Sequence, residues 1–214
     1  MLINVTEGMG VVEELLREPT LVVSYYSSAS IALIFSAWEE LGGQGREICV
    51  VNFDRIPKEL LSVAPNYPLR CSESSENLVY MAQKPSEVPL RFRLVTAIKR
   101  VIEDVRWARV DKVDGNLYRL WTGNQVHLFR VVDWRVKDEP LPPLSAAIIE
   151  VLEEYGGSLP YKDVVLIVSG KAKANREQVR NGLAFLKSLG VLEIENGNVS
   201  LNKYSGLKGS GGLL

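Results

Sequence analysis

Residues 20–53, TLVVSYYSSASIALIFSAWEELGGQGREICVVNF, constrain this chain more than any other stretch. Leu21, Val22 and Val23 form a short, partly β-branched apolar run, as buried parallel strands do. After a tight turn, Ile31, Ile34, Phe35, Trp38 and Leu41 recur at helical spacing and give one apolar face. Gly42 and Gly43 stop that helix, and residues 48–53 read as a second buried strand. Two parallel strands joined by a helix make a right-handed crossover unit, which commits this half of the chain to an α/β fold.

The neighbouring segments extend the unit. Residues 1–5 read as a short strand or an extended lead-in, and residues 11–17 as a short helix ended by Pro19. Residues 55–63 suit a turn and a short helix, with Pro57 at a permitted first position, and residues 64–77 suit a surface loop. Residues 78–81 read as a third strand. The spacing of Phe92, Val95, Ile98, Val101, Ile102 and Val105 predicts a helix over 88–105. On it, Arg91, Arg93, Lys99 and Arg100 read as a solvated face rather than a nucleic-acid or partner surface. Residues 116–121 and 126–136 read as two antiparallel strands around a turn at 122–125. His127, the lone histidine, falls in the second of these; with no partner in view it reads as a strand side chain, not a catalytic base.

Taken together, residues 1–35 followed by ICVVNFDRIPKEL resemble the start of a RecA- or KaiC-like ATPase core. Thr6-Glu7-Gly8, Glu14-Leu15-Leu16 and Asn52-Phe53-Asp54 carry the resemblance; beyond the first 60 or so residues it is loose. It implies a strand, a phosphate loop and a helix in series. The phosphate loop reads G-x-x-x-x-G-K-[ST]. Laid on this chain, its glycines fall on Ser24 and Ala29, its lysine on Ser30 and its metal-holding hydroxyl on Ile31. Ser30 has no charge for a β- or γ-phosphate, and Ile31 cannot ligate magnesium. The expectation is therefore no bound nucleotide, no cofactor and no hydrolysis: not an enzyme. Ser27, Ser28 and Ser30 at a helix N-terminus still leave weak anion binding open. The same strand-turn-helix also suits a degenerate phosphoesterase of the DHH type that has lost its Asp and His ligands. In every case Ser28 is expected to cap the helix. Asp111 and Asp114 lie where the family places a magnesium-positioning carboxylate, but the WARV run before them does not support that role.

The pattern changes after residues 137–143, KDEPLPP, a charged and proline-rich linker by composition. Leu144, Ile148, Val151, Leu152 and Tyr155 mark a helix stopped by Gly156-Gly157. Pro160 opens a second helix that turns at Ser169-Gly170. Asn175 and Gln178 frame a capping box for a third, with Val179, Leu183 and Leu186 inward. A hairpin around Asn196-Gly197 follows. Three helices and a hairpin in this order, with QVRNGLAFLKSLGVLEIENGNVSL, resemble a winged helix. That resemblance implies a third helix in the major groove and a wing on the backbone. Lys171, Lys173, Arg176, Arg180, Lys187 and Lys203 then stand as phosphate contacts, with Asn175 or Arg176 reaching base edges.

The expected architecture is a truncated RecA-like parallel or mixed sheet flanked by helices over 1–136. A linker at 137–143, an α+β winged-helix domain over 144–203 and a flexible tail at 204–214 follow. Net charge is −1, so DNA contact must come from a local patch. Two cysteines and one histidine make a poor zinc set, no metal is expected, and a disulfide between Cys49 and Cys71 is not expected either. No signal segment or membrane-length apolar run is read, which places the protein in the cytoplasm without a membrane partner. The function these residues imply is a non-catalytic, DNA-associated accessory or regulator in recombination or repair. Its protein partner would be an active recombinase or another DNA-processing complex. The alternative is an interaction subunit whose two domains are docking surfaces.

Overall fold

The structure, a computed structural model, describes residues 10–123 and 125–202. The expected lead-in strand at 1–5, the Thr6-Glu7-Gly8 segment, Lys203 and the tail at 204–214 lie outside the described residues. Among the described residues the chain divides into a sheet body, residues 10–122 and 127–139, and a helical body, residues 140–202, with which 123, 125 and 126 group; each is described on its own.

The sheet body runs α1 (Val11–Leu16), β1 (Thr20–Ser24), α2 (Ser27–Gly43), β2 (Ile48–Val51), two 3-10 segments (Phe53–Arg55, Lys58–Val63) and β3 (Glu76–Ala82). A further 3-10 turn (Pro85–Glu87) leads to β4 (Leu94–Ala97), β5 (Arg106–Asp114), β6 (Leu117–Thr122), β7 (Gln125–Val132) and β8 (Arg135–Glu139). They form one eight-stranded mixed sheet in the order β2-β3-β4-β1-β5-β6-β7-β8. The first five strands are parallel, and β5 onward runs as an antiparallel meander.

The sheet bends around α2. Eleven of the seventeen residues of α2 are buried, which one apolar face cannot supply; a helix apolar nearly all round is an enclosed helix. β8 closes the enclosure. The Val136 amide donates to Ser36 Oγ at 2.8 Å, Arg135 Nε lies 2.6 Å from Glu39, and the Arg135 guanidinium sits over the Phe35 ring at 5.4 Å. Asp138 on the same strand accepts the Val11 amide at 2.8 Å, capping α1 from far along the chain. Lys137, Asp138 and Glu139 are therefore paired strand and not linker. The single strand expected over 126–136 is likewise two strands, because Asp133 and Trp134 take positive φ (48° and 59°) and turn the chain.

The helix predicted over 88–105 is absent: this stretch is β4 between two irregular segments. Leu94, Val95, Thr96 and Ala97 are all buried, hydrogen-bonded between β3 and β1. The helical spacing is misleading for a physical reason. Phe92, Val101, Ile102 and Val105 flank β4 and fold back over Leu21, Val79 and Val95, so the same residues must be apolar in either conformation. Thr96 also mends the neighbouring strand. Its Oγ1 accepts the Met81 amide at 2.9 Å where β3 shifts register and Met81 takes φ 48°.

Contrary to expectation, Cys49 and Cys71 form a disulfide. Two cysteines 22 residues apart carry no framework signal of their own. The loop before β3 returns beside β2, where Arg70 donates its amide to Ile48 O at 2.8 Å, and this brings Cys71 to Cys49. Nor does Ser28 cap α2; Tyr26 is the N-cap residue, without a side-chain bond.

The helical body runs α3 (Pro143–Glu154), β9 (Ser158–Pro160), α4 (Tyr161–Lys171), α5 (Arg176–Ser188), β10 (Leu192–Glu195) and β11 (Asn198–Leu201). The strands form a small antiparallel sheet, β10-β11-β9, with β9 unforeseen in the sequence. Ile148, Leu152, Val164, Val168, Val179, Leu183 and Leu186 are buried and make the core. At Gly182 a Cβ would lie 2.8 Å from Ile148 Cδ1, so a glycine lets α5 approach α3. Ser169 and Gly170 lie inside α4 and do not turn the chain; the turn follows, with Lys173 at φ 50°. Asn196 and Gly197 both take positive φ (50° and 78°), the two-residue turn their sequence dictates. No helix among the described residues is long and apolar enough to cross a membrane.

The Cys49–Cys71 link restrains a loop whose closure would otherwise cost entropy. Reduction is expected to lower unfolding free energy by about 2–4 kcal/mol, measured as a fall in the urea midpoint with reductant present.

Candidate functional site

Three places in the fold bring polar side chains together. The first is the β1–α2 turn. β1 ends at Ser24 and α2 begins at Ser27, so only Tyr25 and Tyr26 connect them. The turn closes on itself: the Tyr26 amide donates to Ser24 Oγ at 3.1 Å, and Ser24 Oγ donates to the Tyr26 carbonyl at 3.3 Å. Ala29, Ser30 and Ile31 are in the core, at 0%, 0% and 2% exposure, and Ser30 Oγ has no hydrogen-bond partner. Ser28 hydrogen-bonds Tyr118 Oη at 3.0 Å, and Tyr118 packs edge-on to Tyr26 and stacks on Phe129. The connection is two residues long, whereas a phosphate loop has four residues between its glycines.

The second lies at the carboxyl ends of β2 and β3. Asn52 takes φ 60° and donates Nδ2 to the Tyr80 carbonyl and to Glu87 Oε2. Arg55 grips Glu87 through two nitrogens at 2.8 and 3.0 Å, and the Gln83 amide also donates to Glu87. This hydrogen bonding, led by Arg55, pulls the Glu87 carboxyl down to about 2. With all these donors satisfied inside the cluster, it acts as a clamp between two loops rather than as an open acid or base. Asp111, weighed for a metal role, bonds Arg109 and Arg119 instead. Burial pushes the His127 imidazole below its ordinary value within β7. Among the described residues, no three His, Cys, Asp or Glu side chains converge as a metal requires.

The third is the outer surface of α5 and the turn before it. Residues 140–202 hold six lysines and arginines against seven carboxylates, yet five of those six lie between Lys171 and Lys187. Lys171 is tied to Glu154 at 2.5 Å, and that hydrogen bond raises its pKa. Lys173, Arg176, Arg180 and Lys187 are exposed and make no ion pair among the described residues. On α5, Arg176 and Arg180 are one turn apart and Lys187 two turns further, so the three share a stripe. Asn175 serves as the N-cap. Its Oδ1 accepts the Gln178 amide at 2.8 Å, and Gln178 Oε1 accepts the Asn175 amide at 2.9 Å. The cap occupies the Asn175 oxygen and leaves its amide nitrogen for any base edge. Sequence reasoning missed the Asn52–Arg55–Glu87 clamp, since nothing in residue spacing joins position 87 to position 52.

The clamp gives a pH signature. Glu87 is held below its ordinary 4.5, so its stabilisation is complete above that value and is lost as pH falls toward about 2. Wild type should therefore be more stable than Glu87→Gln at neutral pH, with the gap closing between pH 4.5 and 2 in denaturant titrations. No family model, curated protein or solved structure matches the chain.

Proposed function

We propose that the protein is a non-catalytic DNA-contacting factor, engaging duplex through α5 and braced by a sheet body that does not hydrolyse nucleotide. One observation carries this reading: Lys173, Arg176, Arg180 and Lys187 are exposed, make no ion pair among the described residues, and lie on one helix and the turn before it. An α-helix fits the major groove, and unpaired cations on its outer face meet phosphates. The order helix, strand, helix, helix, hairpin supports a winged-helix reading of the helical body. The sheet body supports a degenerate RecA-like reading through β1, α2 and β2 in series, with Asn52-Phe53-Asp54 directly after β2. Its tight β1–α2 turn supports the absence of nucleotide chemistry. Accessory work beside an active recombinase or another DNA-processing complex is the process this pairing suggests.

A second reading, a protein-docking subunit, is favoured by Leu166 on α4 and Tyr155 after α3, exposed at 61% and 54%.

Binding of short duplex DNA should weaken steeply as salt rises. Arg176→Ala with Arg180→Ala should weaken it about tenfold or more and cut the salt slope by roughly 2, measured by fluorescence anisotropy. A double variant that binds like wild type removes α5 as the contact, and no binding at low salt favours docking. Mg-ATP should leave the melting temperature of the pure protein unchanged, whereas a shift that grows with nucleotide concentration would return the β1–α2 turn to nucleotide binding.

A further inference from the structure

The two ends of the Cys49–Cys71 bridge differ in their surroundings. Cys49 is buried in β2 at 7% exposure, while Cys71 is exposed in the segment that precedes β3. Residues 66–74 of that segment are exposed except for Leu69, which is partly buried beside Ile48. Little apolar surface therefore ties the segment down, and chain of this kind opens locally with ease. Besides the bridge, the Arg70 amide donates to the Ile48 carbonyl at 2.8 Å, and Ser75 Oγ donates to the Arg70 carbonyl at 2.6 Å. The Tyr67 ring packs so close to Gly42 that a Cβ there would clash with it. β2 has its own support. Ile48 and Val50 belong to the core around α2, Cys49 alternates to the other face, and β2 pairs with β3 along its whole length.

We propose that this bridge is a thiol–disulfide exchange site entered at Cys71, and that its reduction by a dithiol releases residues 64–75 from the edge of β2 while the sheet body stays folded. Exchange begins when a thiolate attacks a disulfide sulfur, so access selects the sulfur attacked. Here that sulfur is Cys71 Sγ. The S–S bond breaks, its electron pair leaves on Cys49 Sγ, and burial favours that sulfur as the protonated thiol. The dithiol is now bonded to Cys71 through one sulfur. Its second thiolate attacks that sulfur and expels the Cys71 thiolate, which is protonated in turn. Two electrons pass to the protein, and the dithiol becomes a cyclic disulfide. A dithiol suits the site better than a monothiol because Cys49 stays within reach of the mixed disulfide, the two Cα atoms being 4.7 Å apart. Cys49 returns to Cys71 unless the reagent's own second sulfur is equally close. Once reduced, Cys49 sits in β2 as a small apolar residue. The inference stands apart from the DNA reading and uses no residue of the helical body.

The test uses the full chain without denaturant, with dithiothreitol as the dithiol. Freed thiols are counted by alkylation and intact mass, and amide exchange of the oxidised and reduced forms is compared peptide by peptide. Dithiothreitol should free both thiols. Peptides within 64–75 should then exchange at least about tenfold faster, while those of α2, β4 and β5 exchange as before. A brief pulse of iodoacetamide on the reduced protein should alkylate Cys71 at least about tenfold faster than Cys49. Cys49→Ser should show the fast-exchanging segment with no reductant present. The proposal is overturned if the bridge opens only when the whole chain unfolds, or if the segment exchanges alike in both forms. It is overturned equally if Cys49 of wild type is alkylated as fast as Cys71, or if a natively melting Cys49→Ser keeps a slow segment. Wild type decides the first three outcomes whether or not the variant folds.

Discussion

Phe35, Trp38 and their neighbours leave water only because the sheet bends until β8 meets α2 from the far side. Each such side chain gains about 1.5–3 kcal/mol on full burial, whereas a single hydrogen bond contributes roughly 1 kcal/mol net. Apolar burial therefore drives the enclosure, and the Ser36–Val136 and Arg135–Glu39 contacts fix its register. The sheet changes character to achieve it. Parallel strands need long crossovers, so the closing strands β6, β7 and β8 arrive by short antiparallel turns. Asp138 then ties the last strand to the start of α1, so both ends of the body are held through β8.

The same enclosure accounts for the state of the β1–α2 turn. A helix surrounded by strands must start close to the strand that feeds it, and here two residues separate them. Ala29, Ser30 and Ile31 are thereby drawn into the first turns of the helix and into the core. Small or apolar residues at these positions suit that burial. A lysine at position 30 would be an unpaired charge among apolar neighbours, which a fold tolerates only with a partner.

Legibility in the sequence followed locality. The stops at Gly42-Gly43, the Asn175–Gln178 box and the Asn196-Gly197 turn are decided within a few residues, and the structure has each of them, whereas α2 is buried nearly all round rather than along the one face its spacing predicts. The exposed row on α5 was legible for the same reason, since helical spacing alone aligns Arg176 with Arg180. What escaped depends on partners far along the chain. β4 is a strand because β3 and β1 flank it, against an apolar spacing that suits a helix as well. Lys137-Asp138-Glu139 carry a linker's composition, but Asp138 has an amide to cap 127 residues away. The clamp at Glu87 and the disulfide at Cys71 are likewise long-range, and neither spacing nor composition records them.

That disulfide lies beside the outermost strand of the sheet. β2 has β3 on one side only, and on the other Leu69 pairs beside Ile48 while the Arg70 amide donates to the Ile48 carbonyl, with Cys71 bonded to Cys49 just beyond. An unpaired strand margin is a template on which foreign chains can stack. The sulfur bridge thus works as a latch on a selvage, holding the covering chain against the start of β2. Its opening in a reducing milieu would free that chain from the strand margin it covers.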